Sequence, residues 1–340
     1  MRHFVDKAHI FLGALVAAAL SSQALADDYG RMNVLEENDS LYFHTDKHYT
    51  QGVRFSYLAP SVKPGDSFDR PFDYLSAYTP IFAANSVDRR YVLLFGQSIF
   101  TPDDLQLRPP DPRDRPYGGW LYGGVSLLQR DGDDSLENLE LDAGIIGPGA
   151  LGKQIQNDWH QFIDIHQAQG WSDQIQNEPG ATLTYQRLWR LPIAGGDAFG
   201  IDAVPEAGAT VGNVFDFGEL GGMLRIGSGL GADYGPPRVR PALSGTDYFD
   251  STRAGDGLGG YFYIGTQGRV VGRNIFLDGN SFRQSPSVDH RVFVGDVETG
   301  FALFWSRRVR ADFSVTERSK EFVGQHSPDV IGAAALSFSL

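Results

Sequence analysis

Residues 309–316 switch character at every step, with Val309, Ala311, Phe313 and Val315 set between Arg310, Asp312, Ser314 and Thr316. A β-strand sends successive side chains to opposite faces, so this stretch has one apolar face and one face that carries full charges. The same period of two recurs along the chain. Leu139, Leu141, Ala143 and Ile145 alternate with Glu140, Asp142 and Gly144; Val53, Phe55 and Tyr57 flank Arg54 and Ser56; Leu183 and Tyr185 flank Thr182, Thr184 and Gln186. The chain closes on it, with Leu336, Phe338 and Leu340 around Ser337 and Ser339. A soluble sandwich also alternates, but a membrane barrel inverts the faces, turning apolar residues to lipid and polar ones to the lumen.

Composition favours the barrel. Aromatic residues reach 12%, there are 41 glycines, and no segment after the amino-terminal region approaches a transmembrane helix. Arg2 and Lys7, the apolar run from Ile10 to Leu20, and Ala24-Leu25-Ala26 form a secretory signal peptide with cleavage expected after Ala26. The mature chain is then 27–340, read as one domain. Outer-membrane barrels usually close with a terminal strand such as 328–340, most often ending in phenylalanine, and the final Leu340 departs mildly from that habit.

The alternation marks about twelve strands. They fall at 30–38, 49–59, 90–99, 118–130, 136–147, 179–192, 199–213, 215–230, 257–273, 289–305, 307–319 and 328–340. An even number of antiparallel strands closes with no free edge, as a bilayer requires. The expected fold is all-β: a closed antiparallel transmembrane β-barrel in a bacterial outer membrane, with a short amphipathic helix in a long loop. With the amino terminus in the periplasm, 39–48, 100–117, 148–178 and 274–288 face outward, and the turn Asp131-Gly132-Asp133-Asp134 faces the periplasm. The segments 60–89 and 231–256 then also fall on the periplasmic side, where turns are usually short. They are expected either to fold on the inner rim or to betray a local slip in the strand count.

The absence of cysteine excludes a disulfide framework and a thiolate metal site. A net charge of −13 argues against a nucleic-acid partner. Arginine outnumbers lysine 24 to five among the 29 basic residues. Arg108, Arg113 and Arg115 lie close together in an expected outer loop and are candidates for lipid phosphates. The glycines of 218–231 fit barrel curvature better than a phosphate loop.

Residues 151–166 follow a helical period instead. Leu151, Ile155, Trp159, Phe162, Ile163 and Ile165 share one arc, while Gln156, His160 and Asp164 form a polar row at four-residue spacing. A solvated helix face is the ordinary reading of such a row. The chemical one makes His160 a general base, Gln156 a positioning group and Asp164 the partner of the imidazole. His44 and His48 have the spacing of a metal pair; they and His166 read more simply as surface or interfacial residues.

Several blocks, in order, carry a resemblance. They are Glu36-Glu37-Asn38-Asp39-Ser40, Tyr49-Thr50-Gln51-Gly52, Ile146-Gly147-Pro148-Gly149-Ala150 running into Gln156-Asn157-Asp158-Trp159-His160, Trp171-Ser172-Asp173-Gln174-Ile175-Gln176-Asn177, and Gly212-Asn213-Val214-Phe215. Together they resemble the lipid A 3′-O-deacylase family of Gram-negative outer membranes, from about residue 33 onward. The resemblance implies a barrel of twelve strands and hydrolysis of the ester that holds the 3′-linked acyloxyacyl group on lipid A, or on the lipopolysaccharide that contains it, with Ca2+ required. It implies that His160 is catalytic, with Gln156, Asn38, Asp39 and Thr50 in the site and Asp39 as the metal anchor. Without it, Asn38-Asp39-Ser40 reads as a polar strand end and Thr50 as an ordinary strand threonine. The family also uses a lysine in the loop after its third strand, and here 100–117 has none; Lys47, Lys63, Lys153 and Lys320 are the lysines of the mature chain.

Three other readings compete. A porin or structural barrel would conduct ions and leave lipid A unchanged. A serine phospholipase would want a nucleophile elbow, and no G-x-S-x-G is present. A soluble sandwich would fractionate without detergent.

Overall fold

The computed structural model describes residues 30–39, 47–83, 86–132, 135–196, 198–242 and 245–340. The expected signal peptide, Ser40 and His44 lie outside them. Thirteen strands form a single antiparallel sheet: β1 (Arg31–Asn38), β2 (His48–Leu58), β3 (Ser86–Thr101), β4 (Gly118–Asp131), β5 (Ser135–Ile146), β6 (Glu178–Trp189), β7 (Leu191–Gly196), β8 (Phe199–Gly212), β9 (Phe215–Gly227), β10 (Leu258–Asn274), β11 (Phe293–Trp305), β12 (Val309–Arg318) and β13 (Asp329–Ser339). Each strand pairs with its neighbour, β1 pairs with β13, and β6 pairs directly with β8. The short β7 pairs with β8 alone and extends that hairpin beyond the wall, so twelve of the thirteen strands close the ring. Closure leaves no unpaired edge within the wall.

Burial follows the alternation with the sense a membrane demands. On β10, Phe262 is 68% exposed while Tyr261 and Tyr263, on the opposite face, are 2% and 4% exposed. Leu220, Val270 and Phe293 continue the outward apolar surface. Inside, Arg54, Glu140, Asp202, Arg225, Glu298, Arg310 and Asp312 are all buried. Among the described residues no helix is long and apolar enough to cross a membrane; the strands do so.

Both long connections at the end opposite the expected outer loops have structural roles, and the strand count does not slip. The segment between β2 and β3 folds on the rim. Its helix α1 (Arg70–Tyr78) buries Phe72, whose ring lies under the Arg89 guanidinium, and Arg89 also pairs with Asp69 and Asp73. The segment between β9 and β10 enters the lumen. Arg238 pairs there with Glu37 of β1 and with Glu298 of β11 at 2.9 Å, and it donates to Thr316 of β12 at 2.6 Å. Arg240 donates to Gln186 of β6 at 2.7 Å, Asp247 accepts from Arg54 and Ser56 of β2, and the Ala242 carbonyl accepts from Gln267 of β10. One segment therefore touches the inner faces of strands all round the ring. A charge removed from water needs partners of this kind, because an unpaired buried ion costs several kcal/mol.

Arg238→Ala strands Glu37 and Glu298 without their shared guanidinium. It should lower resistance to urea unfolding in detergent by about 3–5 kcal/mol. The filled lumen should also give no steady single-channel conductance in a planar bilayer, and an open-pore current from the wild type would show that the segment does not occupy the lumen.

Candidate functional site

The outward row of β3 changes character along its length. Leu93 and Phe95 are 58% and 53% exposed, yet Gln97, Ile99 and Thr101, next in the same row, are buried. The connection between β5 and β6 lies across them. Gln97 donates to the Ala150 carbonyl at 2.5 Å, and Ile99 packs with Tyr117, Ala168 and Trp171. Gly119, in the outward row of β4, leaves room for Ala150 and Gly152: a Cβ there would stand 3.2 Å from the Ala150 Cβ.

This connection carries helix α2 (Gly152–Phe162). The helix is shorter than the expected 151–166, because Leu151 adopts a left-handed conformation before it and Asp164 does so just beyond it. Its orientation is the informative feature. Gly152, Gln156 and His160 are the buried residues, whereas Leu151, Ile155, Trp159 and Phe162 are between 38% and 50% exposed. The polar row faces inward onto the returning chain, where the Trp171 ring lies over Gly152 and its indole bonds Gln156, while the apolar arc faces the surroundings of the barrel, as a helix at a lipid surface should.

His160 Nδ1 lies 2.8 Å from the His166 carbonyl. A carbonyl only accepts, so Nδ1 carries the proton and Nε2 is the basic nitrogen. The reversal after α2 makes this bond possible, and it replaces the expected one from Asp164, which is exposed. Gln156 Oε1 accepts from the Trp171 indole at 2.8 Å. Asn157 holds the return of the chain, accepting from the Ala168 N–H at 3.0 Å.

The wall supplies the remaining expected residues. Asn38 ends β1 on its half-buried outward face, and its Cα partner on β2 is Gln51. Gln51 is in turn paired with Ile99 of β3. Two strand spacings, about 10 Å, therefore separate Asn38 from the residue that packs against Trp171. Thr50 occupies the irregularity between Tyr49 and Gln51, and its hydroxyl lies 2.7 Å from that of Thr101. Asp39 follows β1 directly, is buried, and accepts from the Lys47 N–H at 2.5 Å. All five expected residues thus stand at one end of the barrel, linked through β1, β2, β3 and the segment that carries α2.

Glu36, Gln51 and Trp171 stand in the motif blocks but carried no site role in the sequence reading, and Thr101 escaped it. Glu36 is hydrogen-bonded to both Gln51 and Asn38 on the outward face. The signal was present in the alternation, since Met32, Val34, Glu36 and Asn38 share one face and the last two are polar where lipid contact asks for carbon. The other motif blocks hold the loops in place. Asn177 accepts from the Gly149 N–H at 2.6 Å, and Asn213 ties the β8–β9 turn to Ala181, Glu178 and Pro179.

Two further expectations change. Arg108, Arg113 and Arg115 do not form a common phosphate surface: Arg115 is fully buried against Glu321, and Arg113 pairs with Asp111 at 2.8 Å. His48 lies between Asp329 at 2.7 Å and Asp114 at 3.5 Å, one on each ring nitrogen, and so joins three outer segments. Lys47 also reaches into the loop that lacks a lysine, with its Nζ 3.8 Å from Asp103 and 3.1 Å from the Ser327 hydroxyl. Among the described residues no three His, Asp or Glu side chains form a chelating cluster. Asp39 itself offers carboxylate oxygens, the ligand type that a hard cation takes.

A lipid-facing barrel with a packed lumen and an amphipathic helix seated on its outer wall defines an outer-membrane β-barrel protein with a closed interior. Residues 10–340 match the family model described as outer membrane protein LpxR, so the chain belongs to the LpxR family. Among solved structures, LpxR from Salmonella typhimurium is similar at 20% identity and a TM-score of 0.71, over 91% of this chain and 100% of that one. The β domain of the Bordetella autotransporter BrkA is similar at 8% identity and a TM-score of 0.42, over 92% and 99% of the two chains. No curated protein matches this chain.

Burial raises the pKa of the Asp114 carboxyl, but its hydrogen bonds to His48 and to backbone N–H groups outweigh this and hold it below its ordinary value. Burial likewise pushes the Glu321 carboxyl up, but Arg318 and Arg115 overcome this and hold it below its ordinary value. Depressed carboxylates stabilise above their unfolded pKa, and that stability is lost as pH falls through the folded value. Hydrogen exchange in 102–117 and 319–328, corrected for intrinsic rates, should therefore quicken below about pH 4. Gly119→Leu should lift α2 from the wall at a cost of about 1–3 kcal/mol, seen as faster tryptic cleavage at Lys153.

Proposed function

We propose that this protein is an outer-membrane esterase that hydrolyses the 3′-linked acyloxyacyl ester of lipid A by histidine-activated water. The observation that carries this reading is the seating of α2. Its imidazole is buried under a helix that sits on the outer side of the wall, beside exposed Leu151, Ile155, Trp159 and Phe162, where an acyl chain can approach from the bilayer.

His160 Nε2 takes a proton from water as the water oxygen attacks the ester carbonyl carbon. The bond between the former carbonyl carbon and the 3′ oxygen of the sugar then breaks, and the imidazolium returns the proton to that departing oxygen. The products are a free acyloxyacyl carboxylic acid and a 3′ hydroxyl, with no acyl-enzyme between them. Gln156, Asn38 and Thr50 position the water and the ester. Asp39 would hold Ca2+, with oxygen ligands nearby, and that ion when bound supplies Lewis-acid polarisation of the carbonyl. The filled lumen argues against the porin alternative.

Mass spectrometry of lipid A from cells that express the protein tests the reading. Wild type should remove one acyloxyacyl unit from the 3′ position. His160→Ala and His160→Gln should each lose about 10²–10⁴-fold in rate while keeping the heat-modifiable mobility of a folded barrel. A chelator should silence purified wild type, and added Ca2+ should restore it. Loss of acyl groups from another position, or undiminished turnover in both histidine variants, would sink the assignment.

A further inference from the structure

Below α2, three rows of outward residues cross β3, β4, β5 and β6 one after another. Leu93, Val125, Leu141 and Leu183 are direct cross-strand neighbours and face lipid with carbon. Two residues nearer the opposite rim stand Tyr91, Leu127, Leu139 and Tyr185. Two residues further on, the row is Arg89, Gln129, Glu137 and Arg187. Such a change from carbon through aromatic rings to charge marks where the hydrocarbon ends. The segment between β2 and β3 lies over the charged row. Arg89 donates to Gln129 at 2.8 Å and pairs with Asp69 and Asp73, and the Phe82 N–H donates to Glu137 at 2.8 Å. Gln129 and Glu137 are buried beneath this cover.

The same segment turns aromatic rings outward. Phe68, Tyr74 and Tyr78 are between 66% and 76% exposed, and the two tyrosine rings of α1 are 4.8 Å apart. Phe72 and Phe68 meet Tyr91 edge-on at 5.5 and 5.9 Å, and the Tyr91 hydroxyl donates to the Phe68 carbonyl at 2.7 Å. Tyr91 belongs to the last lipid-facing row, so the exposed rings continue the membrane surface of the wall. The depth agrees. On β3, ten positions separate Arg89, which lies against Phe72 of α1, from Ile99, which lies under the segment carrying α2. They span about 33 Å along the strand. At a strand tilt of about 40° this is about 25 Å along the barrel axis, the height of the apolar band of an outer-membrane barrel. We infer that α1 is an interfacial helix, seated in the phospholipid headgroup layer of the leaflet opposite the one that α2 faces. Phe68, Tyr74 and Tyr78 reach the boundary with the acyl chains, where amphipathic rings are favoured. Phospholipid, rather than a protein partner, covers this face, and the two helices bracket the hydrocarbon on the same strands. The site is separate from His160 and does not depend on the proposed hydrolysis.

The chain contains no cysteine, so a nitroxide can be attached at one introduced cysteine without background. Tyr74→Cys and Tyr78→Cys, each labelled and reconstituted as the full barrel in phosphatidylcholine bilayers, test this by power-saturation electron paramagnetic resonance. Phe262→Cys on the lipid-facing wall and Asp104→Cys in an exposed outer loop give the two reference readings. Collision with dissolved oxygen, relative to collision with a water-soluble nickel chelate, should be severalfold greater at 74 and 78 than at 104, and smaller than at 262. Phe68→Cys should give the same reading, and it decides the matter if the tyrosine variants lose the heat-modifiable mobility of a folded barrel. Labels at 74, 78 and 68 with the collision ratio found at 104 would overturn the proposal. So would dipolar broadening of these labels that persists as lipid is added at constant protein, because a second copy of the chain would then cover α1.

Discussion

Within the lumen, Arg238 stands between Glu37 and Glu298, and much of the molecule depends on that arrangement. A barrel that turns carbon to lipid must turn its polar residues inward, and a narrow lumen cannot hydrate so many charges. The segment between β9 and β10 resolves the difficulty by carrying complementary groups inside. Arg238, Arg240 and Asp247 meet the inner faces of β1, β2, β5, β6, β9, β11 and β12. Removal of one member leaves the others as unpaired buried ions, which couples the plug to the wall. The interior is thereby closed to traffic, and the wall is left as the surface on which chemistry can occur.

On that wall, polar groups in the outward rows mark the site. Glu36, Asn38, Gln51, Gln97 and Thr101 stand where lipid contact would favour carbon, and the segment carrying α2 covers part of this patch. The helix resolves two demands at once. Its polar row bonds the returning chain, while its apolar arc continues the lipid-facing surface. The His166 carbonyl fixes the imidazole tautomer and Trp171 fixes the Gln156 amide, so the side chains nearest the membrane are held before any substrate arrives.

The two ends of the barrel differ in their chemistry. At the α2 end, ion pairs of His48 with Asp114 and Asp329, and of Arg115 with Glu321, lock the connecting segments to one another. At the other end, Asp202 pairs with Arg190 and Arg225, Asp250 lies between Arg253 and Arg130, and exposed Leu258 and Phe199 border them.

The alternation around Val309–Arg318 and the other strands determined the barrel and its strand number, because a bilayer admits few solutions for strands with one apolar and one charged face. The same logic exposed the helix, since a period near four inside a period of two is visible in the sequence. The helix's facing was not legible. An amphipathic segment packs either way round, and only the bulge at Thr50, the glycine at 119 and the covered row at Ile99 decided that His160 would turn to the wall. The partner of the imidazole was hidden for a related reason: a left-handed residue at Asp164 bent the chain and substituted a backbone carbonyl for a carboxylate. The lumen plug likewise depended on contacts between residues far apart in the chain, such as Glu37 and Val239, 202 positions apart. Local periodicity determined which face of each element could meet lipid; long-range packing alone decided which charges would meet one another.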